Sequence, residues 1–255
     1  MPSVLAVMAH PDDIEFMIGG TLLQLADLGW EVHYLNIANG CLGSMLTPPI
    51  ETARVRLEEA RQAAAKIPAR HYPPICNDMS ILYTLENLAK VAAVVRQADP
   101  SIVLTHSPSD YMEDHEAACR LAVSATFVKG MPSYLSAPDQ PPVGREVAVY
   151  HALPHGNCSP LREPIEADLY VNSTEVLARK VELLACHQSQ QGWLDSTQKM
   201  SSYLQTMVDM DRQRGKLSGS FEYAEGFRRH LHLGFSSDGF DPLAEALGAA
   251  AKASG

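Results

Sequence analysis

The chain has 255 residues, 46% of them hydrophobic and 20% charged, with a formal net charge of −10. Such a composition is globular, and the length is enough to bury a sizeable core. The acid excess argues against a nucleic-acid surface, which needs clustered Lys and Arg, and no run of about 18 apolar residues points to a membrane span.

The opening MPSVLAVMAHPDD lacks a basic start, and His10 and Asp12 interrupt its apolar run. It therefore reads as a buried strand, Val4–Ala9, and not as a signal peptide. Gly19–Leu28 has helical periodicity and Gly29 ends it, as a C-cap glycine would. Glu31–Ala38 reads as a second strand, and Asn39–Pro49, with two Gly and two Pro, as a loop. Glu51–Ile67 and Leu85–Gln97 read as helices, Ser101–Thr105 as a strand and Glu116–Phe127 as a helix. Pro132, Pro138, Pro141 and Pro142 mark a loop; Glu146–His151 and Ala167–Val171 read as strands. Ser173–His187 and roughly Thr197–Lys216 read as helices, and Leu243–Gly255 as an Ala-rich terminal helix or tail.

This alternation predicts an α/β fold with a mostly parallel sheet flanked by helices. No linker appears, so residues 1–255 read as one domain, with a core over about 1–130 and further strands and helices over about 145–235. The five cysteines form no CxxC pair and read as the reduced thiols of a cytoplasmic protein.

His10-Pro11-Asp12-Asp13 follows the first strand, and His106 to His115 follows the Ser101–Thr105 strand. Ligands of open α/β sheets sit outside the carboxyl ends of the strands, so the two segments are expected to meet. His10, Asp13 and His115 form a donor set suited to catalytic zinc, which takes three protein ligands plus water. Asp12 is then placed to take a proton from that water. The alternative is an ordinary helix N-terminus capped by carboxylates. GxGxxG is missing, so a dinucleotide site is not expected.

At these residues the chain resembles the LmbE-like or PIG-L deacetylase superfamily. The resemblance rests on Ala9-His10-Pro11-Asp12-Asp13-Ile14-Glu15 with Asp114-His115. Arg56-Leu57-Glu58-Glu59, Lys180 with His187-Gln188-Ser189-Gln190, and Ala224-Glu225-Gly226-Phe227 extend it in the right order. The resemblance implies a Rossmann-like fold and one zinc ion per chain on His10, Asp13 and His115, with Asp12 as general base. It implies hydrolysis of an N-acyl bond on a small molecule, usually the acetamide of an amino sugar, and leaves room for a homo-oligomer. Arg56 would correspond to an arginine that contacts substrate hydroxyls; the alternative is an exposed helix arginine paired with Glu59 or Glu51.

One position departs from that pattern. Met112 stands where many members carry a second His, which polarises the acyl oxygen. Tyr111, His106, His155 and His187 are the candidates to replace it. Asp114 can still orient a ligand, and Glu15 reads as a supporting residue or part of a helix start; Asp110 belongs to the same segment. His33, His71, His230 and His232 read as structural. The Asn39–Pro49 loop, the Arg70–Asp78 stretch and the Gly130–Pro142 loop are expected to wall the pocket, with Tyr72 and Tyr111 available to stack on a sugar. Two other readings use the same residues: an amidase on a non-sugar amide such as a thiol conjugate, and a non-catalytic metal- or ligand-binding protein. A nucleotide-binding protein is more remote.

Overall fold

A computed structural model describes residues 1–190 and 203–253. Its frame is an eight-stranded sheet. The strands are β1 (Ser3–Met8), β2 (Glu31–Asn36), β3 (Arg70–Tyr72), β4 (Ile102–Thr105), β5 (Ala148–Ala152), β6 (Leu169–Asn172), β7 (Ala224–Arg229) and β8 (Ala251–Ala253). In space they run β3-β2-β1-β4-β5-β7-β6-β8. The first five in that row are mutually parallel, and β7, β6 and β8 add on antiparallel.

Every residue of β1 is buried, and its alternation feeds two cores. Val4, Ala6 and Met8 join the face packed by α1 (Asp13–Asp27), α5 (Leu177–Leu184) and α6 (Tyr203–Ser218). Leu5 and Val7 join the face packed by α3 (Leu85–Ala98) and α4 (Glu113–Val128). A strand covered on both faces reads as an unbroken apolar run for this reason. Two further helices, α2 (Pro49–Lys66) and α7 (Pro242–Leu247), complete the layers.

The structure moves several expected boundaries. Helix α1 starts at Asp13, not Gly19, and α4 at Glu113, not Glu116, so the motif residues occupy helical first turns. Ser173–His187 divides into a 3-10 turn at Thr174–Val176 followed by α5. The helix expected from about Thr197 is seen from Tyr203, residues 197–202 lying outside the described part. The Ala-rich end is α7 followed by β8, and residues 254–255 are likewise outside it. Strands β3, β7 and β8 were not expected. The first and last hold only three residues each, and Ala251–Ala253 contains no β-branched side chain.

The Gly130–Pro142 loop does not wall the site. It follows the carboxyl end of α4, which lies at the opposite edge of the sheet from the strands' carboxyl ends. There Arg96 ties it down through the carbonyls of Lys129, Met131 and Gln140. Tyr72, on β3, is buried against His33 of β2 and does not line the pocket.

A fully buried charge cluster joins the two halves of the sheet. Lys180 Nζ lies 2.8 Å from Asp211 Oδ2 and 2.7 Å from Glu225 Oε1. Glu225 also accepts hydrogen bonds from the backbone N–H groups of Gly20 and Thr21 and from the Thr21 hydroxyl. A Cβ on Gly20 would stand 3.0 Å from Glu225 Oε1. Glycine is what lets the carboxylate reach α1 so closely.

Candidate active site

The chain leaves β1 at Met8 and turns through Ala9-His10-Pro11-Asp12 into α1. The Asn36 side chain donates to the His10 carbonyl at 2.7 Å, and Asp13 Oδ2 accepts the His10 N–H at 2.7 Å. Asp12 takes a left-handed conformation, φ 107°, and makes no capping hydrogen bond. A non-glycine residue held there costs of order 1–3 kcal/mol and is typical of functional sites. The capped-helix alternative therefore does not describe Asp12, whose carboxylate faces a pocket instead.

From the neighbouring strand β4 the chain runs to α4, whose first turn carries Asp114 and His115. His10 Nε2 lies 3.0 Å from Asp114 Oδ2, which leaves His10 Nδ1 3.4 Å from Asp13. His115 Nδ1 lies 3.0 Å from Asp110 Oδ1, which leaves His115 Nε2 3.4 Å from Asp13 Oδ1. One ligand atom from each of His10, Asp13 and His115 lies within 4.8 Å of the other two. Each imidazole is thus held on its far nitrogen by a carboxylate. That arrangement orients metal-ligating histidines and raises their basicity, so these residues fit a divalent cation.

His106, Asp110 and His115 form a second group at similar spacing. The His106 and His115 rings, however, stack at 4.0 Å and 11°. Their in-plane lone pairs then run side by side and do not converge on one ion. His106 Nε2 accepts the Ala9 N–H at 2.9 Å, so this ring braces His115 from behind.

Burial disfavours a charged imidazole, but hydrogen bonds to Asp114 and Asp13 outweigh it and carry His10 up to about 9. His115 is also buried, and Asp13 and Asp110 carry it up to about 10. Burial opposes ionisation of Asp13 as well, yet His115 and His106 hold it well below the usual carboxylate range. A metal must displace both imidazolium protons. Zinc uptake at pH 7 should therefore release close to two protons per ion, measured by calorimetry in buffers of different ionisation enthalpy; no release would place the ion elsewhere. Both folded values exceed the histidine reference of about 6.5. In metal-free protein the pair's stabilisation is therefore complete below that pH and disappears as pH rises through 9 to 10.

Asp12 is buried, and burial pushes its carboxyl up against the opposing charge of Arg56. Arg56 is not an exposed helix arginine. It is 4% exposed, with Nη2 3.3 Å from Asp12 Oδ1, and it donates to the carbonyls of Pro11 and Gly40. The guanidinium runs so close to Gly40 (φ +73°) that a Cβ there would stand 2.6 Å from Arg56 Cδ. The Tyr203 phenol also lies beside Asp12; burial, then the charges of Asp12 and Asp13, push its pKa well above the usual value. Glu15 and His187 are buried, with Oε2 and Nε2 3.2 Å apart, an ion pair off hydrogen-bond alignment.

The four candidates for the place of the missing histidine divide two and two. Tyr111 and His155 line the pocket beside Met112, whereas His106 and His187 do not. His155 lies on a 3-10 turn just beyond β5, against Phe16 and Tyr111. Its buried Nε2 has no hydrogen-bond partner among the described residues, and burial, then Arg214, pushes its pKa down, keeping it neutral.

Sequence reasoning missed Tyr203 and the part played by Asp78, the one residue of the expected Arg70–Asp78 wall that lines the pocket. Tyr203 sits at the described start of a helix recognised only by periodicity. Asp78 accepts the N–H groups of Gly40 and Leu42, at 2.7 and 2.8 Å, and shapes the first loop; an Asp in a loop carries no signal that singles it out.

The fold and site define an α/β protein of Rossmann-like strand order with a metal-competent His-Asp-His cluster and an adjacent carboxylate at the sheet's carboxyl edge. Residues 5–126 match the family described as PIG-L, GlcNAc-PI de-N-acetylase. The chain is 29% identical over 235 residues to a diacetylchitobiose deacetylase of Thermococcus kodakarensis, covering 88% of this chain and 82% of that one. It is 27% identical over 237 residues to a 4-oxalmesaconate hydratase of Pseudomonas putida, covering 89% and 88%. The fold matches that of the N,N'-diacetylchitobiose deacetylase from Pyrococcus horikoshii with a TM-score of 0.75 at 21% identity, over 94% of this chain and 88% of that one. Over residues 5–126 the chain thus resembles the PIG-L, or LmbE-like, family. No helix among the described residues is long and apolar enough to cross a membrane.

Proposed function

We propose that the protein is a zinc-dependent hydrolase that cleaves the N-acyl bond, in the first instance N-acetyl, of a small molecule. The observation that carries this reading is the convergence of His10, Asp13 and His115, two of them held by carboxylates, beside a buried Asp12. The names of the deacetylase relatives bring in an amino sugar as a substrate to test.

His10, Asp13 and His115 would hold the ion. When bound, zinc lowers the pKa of a coordinated water to about 7 and acts as a Lewis acid towards an acyl oxygen. Asp12 supplies the base. Its raised pKa brings it nearer neutrality, where a general base works best, and Arg56 and Tyr203 fix the carboxylate towards the pocket. After taking the proton, Asp12 can return it to the departing amine nitrogen. Neutral His155 can donate Nε2–H to the oxygen that gains charge, the task Met112 cannot perform; one such donor is typically worth about 10²–10³ in rate.

A second reading is favoured by Met112 together with the hydratase relative: addition of water to a conjugated unsaturated acid, with Asp12 as base and His155 as acid. One assay separates the two. Zinc-loaded protein is given a panel of N-acetyl sugars, N-acyl conjugates and unsaturated dicarboxylic acids. Amine release that stops with chelator is the expected result. Loss of dienoic-acid absorbance without amine release would replace hydrolysis by hydration, and amine release surviving full chelation would reject the metal.

A further inference from the structure

The pocket's free volume, open mouth included, is about 1020 Å³. Its polar lining outside the metal cluster and Asp12 is mostly committed. Arg56 is bound to Asp12 and to two backbone carbonyls. Both Asp78 oxygens accept backbone N–H groups. Asp114 Oδ2 is shared by His10 and the Met79 N–H. Gln190 Nε2 donates to the Gly43 carbonyl at 3.0 Å. Among the described residues, the polar side-chain atoms of this lining left to meet a ligand are the Tyr111 hydroxyl, Gln190 Oε1 and Asp114 Oδ1, with Arg56 Nε and His155 Nε2 buried behind them.

Apolar groups face the opening instead: Phe16, Met17, Leu42, Met79, Tyr111 and Met112. Three of these stand well out into solvent, Leu42 at 51%, Met79 at 63% and Tyr111 at 51% exposed. Two are held there. Asp78 fixes the backbone of Leu42, and Met79 is kept at φ 59° with its N–H on Asp114. A methionine in the left-handed region is a strained placement, and the carboxylate that maintains it is the one that orients His10. The apolar rim and the metal-competent cluster are therefore built as one unit.

We infer that the substrate is an amide bearing an apolar alkyl or aryl group, which packs against Leu42, Met79, Tyr111 and Met112. This deepens the N-acyl reading above and rests on it for the scissile bond alone. Buried apolar surface here is the specificity element, as in most small-molecule pockets.

The test is binding, separate from turnover. Zinc-loaded Asp12→Asn protein is titrated calorimetrically with N-acetylglucosamine, N-acetylbenzylamine and N-acetylhexylamine. At least one of the two apolar amides should bind ten-fold or more tightly than the sugar, with a negative heat-capacity change; which one distinguishes an aryl from an alkyl group. Met79→Asn keeps a residue that tolerates the left-handed backbone and should weaken the apolar amide several-fold while leaving the sugar unchanged. Sugar binding as tight as that of both amides would overturn the inference, as would apolar affinity indifferent to Met79→Asn. Tight apolar binding with no hydrolysis by the wild-type protein would overturn the N-acyl reading and leave the apolar subsite standing without the amide.

Discussion

Asp12→Asn should lower turnover by about 10²–10⁴-fold, the usual contribution of a general base, while zinc content stays near one ion per chain. Asparagine preserves the shape and tolerates the φ of 107° that Asp12 adopts. It cannot accept a proton from water, and Arg56 then faces a neutral amide at 3.3 Å. The contrast is the double variant His10→Ala/His115→Ala, which should lose metal and activity together because it removes two of three converging ligand atoms. Metal analysis and single-turnover rates on the same preparations separate the roles. Full turnover in Asp12→Asn would remove Asp12 from the chemistry, and full metal occupancy in the double variant would remove the ligand set.

The parallel half of the sheet, short β3 excepted, and the meeting of two distant segments were legible in the sequence, because both depend on local pattern. An unbroken apolar run such as Val4–Ala9 specifies a strand covered on both faces, and the carboxyl ends of parallel strands share one edge. What lay outside the sequence depends on side-chain direction across long separations. Nothing in Asp110-Tyr111-Met112-Glu113-Asp114-His115 says that Asp114 turns to His10, more than a hundred residues earlier, while Asp110 serves His115. Arg56 could equally have paired with Glu51 or Glu59. Its commitment to Asp12 follows from Gly40 letting the guanidinium pass, a contact between a loop and a helix that spacing does not encode. The Gly130–Pro142 loop was misplaced because composition identifies a loop but not the edge of the sheet on which it falls.

Lys180 carries the second large expectation, and it concerns stability. Its ammonium lies between Asp211 and Glu225, all three fully buried. Lys180→Met should cost about 3–5 kcal/mol, the usual penalty for breaking a buried ion pair by removing one partner, and should lower Tm by roughly 10 °C for a domain of this size. Arg214 does not replace the lost charge, since its Nη1 stays 3.9 Å from Asp211 and its other nitrogens are bound to Asn157 and to the Leu153 and Pro154 carbonyls. Burial, only partly offset by Lys180, already pushes Asp211 up to about 6. A carboxyl whose folded pKa lies above its unfolded value stabilises most when protonated, and that stabilisation is lost as pH rises through the folded pKa. The defect in Lys180→Met should therefore be smaller at pH 5 than at pH 7, in urea denaturation at both. Adding Glu225→Gln to Lys180→Met should recover part of the loss by removing one of the two stranded charges. An unchanged defect at both pH values, with no recovery in the double variant, would show that packing and not charge holds this cluster. The same experiment bears on the site, because Glu225 binds α1 at Gly20 and Thr21, about two turns from Asp13 on the same helix. Loss of zinc affinity in step with loss of stability would tie the cluster to the position of that ligand.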